Sequence, residues 1–101
     1  MKTIKKISER ISDEIQDAKD YTMLALEIRD DYPEMARVLY SIGVQEMEHM
    51  RMLHDGVQGV IQKYRLEHGE PPEKMMAVYE YLHQKQIQDA ADAKIIQSMF
   101  K

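Results

Sequence analysis

Apolar residues recur at alternating spacings of three and four along three stretches of the chain, the interval that keeps one side of an α-helix facing inward. Ile4, Ile7, Ile11, Glu14, Ala18, Tyr21, Ala25 and Ile28 predict a first helix from about Thr3 to Asp30. Leu39, Ile42, Glu46, His49, Leu53, Gly56 and Val60 predict a second, from about Pro33 to His68. Met75, Tyr79, Leu82, Gln86, Asp89, Ala93, Ile96 and Phe100 predict a third, opening at about 72 and running to 100. The breaks between them are short. Asp31 is placed to cap the second helix, Pro33 to sit in its first turn and Glu34 to favour its N-terminal dipole. Gly69 is expected to end that helix in the left-handed conformation, with Gly56 and Gly59 weakening or bending its later part, and Pro71-Pro72 precedes the third. The pattern predicts one all-α domain over 1–101 whose consecutive helices are antiparallel.

Each predicted stripe is apolar except near its middle, where Glu14, Glu46, His49, Gln86 and Asp89 interrupt it. An ionised carboxylate on a buried face is costly unless it is paired or bound to a cation. His49 follows Glu46 by three residues, so the two project from adjacent turns of one face. A Glu-x-x-His on one helix and a Glu on its neighbour is how four-helix bundles hold pairs of iron or manganese ions, carboxylates bridging and imidazoles capping. The same groups also suit a metal-free, hydrogen-bonded polar layer that sets how helices pair.

Composition narrows the setting. A chain of 101 residues, 44% apolar and 32% charged, supports one modest core that self-association would help to complete. The net charge of -4 gives no electrostatic case for nucleic acid or an anionic membrane as partner, and Lys2, Lys5 and Lys6 read as an exposed helix face. No apolar run approaches the roughly 18–20 residues of a membrane span, and Ser, Glu and Arg break up the first dozen residues where a secretory signal would be apolar. There is no cysteine, hence no disulfide, thiolate site or rubredoxin-type centre. A cytoplasmic location, in the open or inside a protein compartment, is the expectation.

The segment from Glu14 to Ala25, with Tyr21 seven residues after the Glu, resembles the first helix of the rubrerythrin and ferritin-like diiron carboxylate family. Gln45-Glu46-Met47-Glu48-His49 resembles that family's second helix, and the match covers about residues 8–60. The resemblance implies a ferritin-like unit in which Glu14 and Glu46 are carboxylate ligands and His49 a nitrogen ligand. Iron, with manganese as the variant, would be the metal. Tyr21 would be a hydrogen-bond donor behind Glu14, or else an ordinary core tyrosine. Glu48, His54 and His68 are expected at the surface or at helix ends, while His83 is a minor candidate ligand.

The departures from that family shape the rest. Gln86-Ile-Gln-Asp89-Ala echoes Glu14-Ile-Gln-Asp17-Ala, but Gln86 stands where a Glu is expected, and no fourth helix follows. One chain holds half of the usual ligand set. A homodimer pairing first and second helices would supply Glu14, Glu46 and His49 twice, as in encapsulated ferritins; otherwise Asp89, with Gln86 near it, would join a single incomplete site. A fourth helix supplied by another polypeptide is a further way to complete the set. Ferroxidase or iron and peroxide handling is the expected activity, and a non-catalytic helical dimerisation module is the competing reading. Nine methionines, three of them (Met47, Met50, Met52) flanking the motif, are expected to fill core and interface rather than to bind copper(I), because the three spread around the helix.

Overall fold

The computed structural model describes residues 2–100, which form three helices and, among the described residues, no strand: α1 (Lys2–Ile28), α2 (Pro33–His68) and α3 (Glu73–Ser98). The 36 residues of α2 set the long axis of a rod 56 × 18 × 18 Å. No helix among the described residues is long and apolar enough to cross a membrane.

Tyr32, not Asp31, precedes α2 as its cap residue and makes no side-chain capping bond, so the helix start relies on Pro33 at its first position. Gly69 does end α2, its N–H bonding to the Arg65 carbonyl, but at φ 80° and ψ −163° rather than in the left-handed helical region. That conformation is open essentially to glycine alone. Helix α2 continues through Gly56 and Gly59 without interruption.

Helices α1 and α2 form an antiparallel hairpin, and α3 lies along α1, parallel to it. The order of contacts fixes this. Gln86 bonds to Ser8 and Ser12, Asp89 pairs with Lys19, and the Met99 carbonyl accepts from Arg29. Helix α3 reaches α2 through a Gln58–Tyr79 hydrogen bond and stacked His54 and His83, and Phe100, just past its end, stacks on Tyr40.

The core has two parts. At one end Ile4, Ile11, Ile15, Val57, Ile61, Tyr79 and Ala93 pack together; at the other Ala25, Ala36 and Leu39 pack with Tyr40 and Phe100 at their edge. Between them the hairpin narrows. A Cβ built on Gly43 would stand 2.8 Å from Thr22 Oγ1 and 3.1 Å from the Ala18 carbonyl oxygen, so only glycine permits this approach. Thr22 is fully buried there because its hydroxyl donates back to the Ala18 carbonyl at 2.8 Å.

The predicted inner faces need one correction. The buried residues of α2 are Ala36, Leu39, Gly43, Val57 and Ile61. Of the predicted series, Leu39 alone is buried; Ile42, Glu46, Leu53 and Val60 are half-buried, and His49 and Gly56 exposed. On α1, Ile4, Ile11, Ala18 and Ala25 are buried, while Ile7, Glu14, Tyr21 and Ile28 form a half-buried row. The reason is geometric. Helix α3 covers the flank of α1 carrying Ser8, Ser12 and Lys19, and Glu14 lies about 200° round the helix from Ser12. The rows holding Glu14, Glu46 and His49 therefore face away from α3.

Candidate metal centre

Glu14 projects from the middle of α1, and Glu46 and His49 from successive turns of α2, just beyond the Gly43 narrowing. That close approach places carboxylates from two helices within reach of one imidazole. His49 Nδ1 stands 3.8 Å from Glu14 Oε2 and 3.8 Å from Glu46 Oε1, and the ligand atoms of all three residues lie within 4.8 Å of one another. Separations of 3.8 Å are too long for hydrogen bonds. Two ligands on one first-row divalent ion stand no more than about 4.4 Å apart, twice a bond of ~2.2 Å. The triangle needs only a small closure around a cation. Among the described residues, no other group of three or more His, Cys, Asp or Glu side chains converges in this way.

Burial bears on whether these residues fit a metal. The Glu14 and Glu46 side chains are only 16% and 18% exposed, whereas that of His49 is 54% exposed. Glu14 Oε2 is shielded from solvent and has no hydrogen-bond donor. A carboxylate oxygen so placed bears a desolvation cost that no hydrogen bond among the described residues offsets, His49 Nδ1 at 3.8 Å being its nearest cationic neighbour. A bound cation would offset it. Oxygen donors with one imidazole suit iron(II) or manganese(II), and the chain has no thiolate to favour a softer ion at this position.

The other candidate residues are placed elsewhere. Gln86 is buried and donates to the Ser8 carbonyl at 2.8 Å and to Ser12 Oγ at 2.9 Å, which anchors α3 on α1. Asp89 forms an ion pair with Lys19 at 3.8 Å. Both belong to the α1–α3 contact, on the flank away from Glu14. Tyr21 packs beside Ala25, Ala36 and Leu39, and none of the hydrogen bonds among the described residues involves it. Glu48 is exposed and paired with Arg51, and His68 is exposed beside Tyr64 and Glu67. His54 is not at the surface; it is half-buried against His83. Gly43 and Thr22, which with Ala18 bring the two helices together at the triad, are not among the positions the sequence pattern singles out. Their signal is the run of small residues Ala18, Thr22 and Ala25 opposite Ala36 and Gly43.

Comparison with known proteins found no match among family models, curated proteins or solved structures.

Proposed function

We propose that the protein binds iron(II) at Glu14, Glu46 and His49, and that a second copy packed on the same face completes a dinuclear carboxylate site at which iron is oxidised. The observation that carries this reading is the buried Oε2 of Glu14, which accepts no hydrogen bond, beside a second carboxylate and an imidazole. The open face supports the second copy. Ile7, Tyr21 and Ile28 share the row of Glu14 at seven-residue intervals. Met35 precedes Glu46, and Val38 precedes His49, by eleven residues, three helical turns, and both are exposed. An apolar rim around charged ligands is the composition expected of a site that is finished by association. Three ligands per chain, taken twice, make the six that a dinuclear centre of this kind uses.

Iron(II) is the substrate here, and oxygen or peroxide accepts its electrons. The role of the chain is to hold two carboxylates and an imidazole at fixed spacing and to neutralise the cation's charge. Glu14 and Glu46 supply hard anionic oxygen, and His49 presents Nδ1 toward them. Aerobic iron(II) oxidation, followed optically, tests the reading: oxidation above the protein-free rate in the parent protein and none in Glu46→Ala. Equal rates in the two would refute it.

The competing reading, a helical dimerisation module without turnover, has one observation in its favour. Gln86, where the resembled family has a ligand, joins α3 to α1 through two hydrogen bonds from its amide nitrogen.

A further inference from the structure

A groove of about 700 Å³ lies between α2 and α3, with Ile11 of α1 among its lining residues. The groove lies on the side of the hairpin that α3 covers, away from Glu14. Met47, Met50 and His54 line it from α2, at spacings of three and four that bring them onto successive turns of one face. His83 lines it from α3, its ring stacked on that of His54 with centroids 4.7 Å apart and planes 5° from parallel. These four side chains are all half-buried, whereas Met52, the third methionine near the motif, is 64% exposed and lies outside the groove.

We propose that this groove is a second metal site, for a soft monovalent cation of the copper(I) type, held by the imidazoles of His54 and His83 and the thioethers of Met47 and Met50. Imidazole and thioether are the donors such an ion prefers, and no carboxylate joins them. Glu48, the one acidic residue lining the groove, is occupied by Arg51, and Lys94 adds a further positive charge to the lining. That electrostatic setting disfavours a hard divalent ion and tolerates one of lower charge. Two imidazole nitrogens on one ion stand at most about 4 Å apart, twice a bond of ~2.0 Å. Stacked rings hold their nitrogen lone pairs in parallel planes, so loading requires the stack to open, one ring turning about its broad χ2 torsion until both lone pairs meet at the ion. The residues are separate from the carboxylate triad, so this site stands or falls independently of iron binding.

Anaerobic titration of the whole protein with copper(I), against a chromophoric copper(I) chelator, tests the assignment. One equivalent per chain is expected. The pair His54→Gln and His83→Gln should weaken binding by at least about 100-fold, since even residues behind metal ligands are worth about 10–100-fold in affinity. Met47→Leu with Met50→Leu, which conserves side-chain volume, should weaken it by at least about 10-fold. Copper K-edge absorption of the loaded parent protein should show both nitrogen and sulfur neighbours, and this readout holds even for a histidine variant that fails to fold. Affinity unchanged within a factor of about three in folded variants, or a copper shell without sulfur, would overturn the proposal.

Discussion

Replacing Glu14 with methionine should make the metal-free protein more stable and the iron-loaded protein less so. The side chain is 16% exposed and its Oε2 has no donor, so the carboxylate weakens the empty fold. An unsatisfied buried group costs about 1–3 kcal/mol, and the remaining exposure places this one in the lower part, about 1–2 kcal/mol. Methionine keeps the length of the side chain and removes the charge, as when apolar residues replace buried ionic groups. For a domain near 100 residues, 1 kcal/mol moves Tm by about 4–8 °C, so the variant should melt roughly 5–15 °C higher in chelator. With iron(II) the order reverses. At a free concentration of about 100 times Kd, the parent gains about 2.7 kcal/mol, and the variant should gain none. Thermal unfolding followed by circular dichroism, at one chain concentration, with chelator and with anaerobic iron(II), reads both effects. A metal-free variant that melts lower than the parent would mean that Glu14 supports the fold directly. A variant stabilised by iron as much as the parent would show that Glu14 is not a ligand. Either result refutes the reasoning.

Gly43→Val places methyl groups where Thr22 Oγ1 is already 2.8 Å from the Cβ position, and should destabilise by about 1–3 kcal/mol in chemical denaturation while lowering iron(II) affinity by spreading the triad. Gly56→Ala, with nothing within 4 Å, should instead stabilise α2 by up to about 1 kcal/mol. Gln86→Met removes two hydrogen bonds to α1 and should cost about 1–2 kcal/mol in urea unfolding, yet leave iron(II) binding as in the parent. Burial and His54 depress the pKa of His83 in the folded state, so unfolding takes up a proton as pH falls below about 6.5. The stability present above that pH should decline as pH falls from 6.5 through the lower folded value, and His83→Phe should flatten that part of the urea-midpoint profile.

How much of this was legible in the sequence varies by element. All three helices were, because Pro33, Gly69 and Pro71-Pro72 mark their ends and the spacing of three and four is sustained between them. The side of α2 that is covered was not. Its inner face is carried largely by Ala36, Gly43, Val57 and Ile61, and alanine and glycine give little hydropathic signal. Isoleucine and leucine at 42 and 53 drew the predicted stripe toward the open side instead. On α1 the stripe holds two rows, and a periodic pattern cannot say which row a later helix will cover. Ser8 and Thr22 are buried as well, the Thr22 hydroxyl bonded back to the Ala18 carbonyl and the Ser8 carbonyl bonded to Gln86 of α3, contacts that no pattern displays. The triad was legible because Glu46 and His49 are local to one helix and Glu14 lies across a short turn. The positions of Gln86, Asp89, His54 and His83 depend on the flank of α1 that α3 chooses, which is a non-local decision. Their surroundings appear only once the fold is assembled.

Anaerobic iron(II) titration combined with sedimentation of the same samples decides whether a shared carboxylate centre forms. One iron per chain and two per dimer are expected, with Glu46→Ala and His49→Ala each losing the iron and with dimer mass in the loaded parent. A loaded monomer, or a parent protein that takes up no more iron than Glu46→Ala, would contradict it.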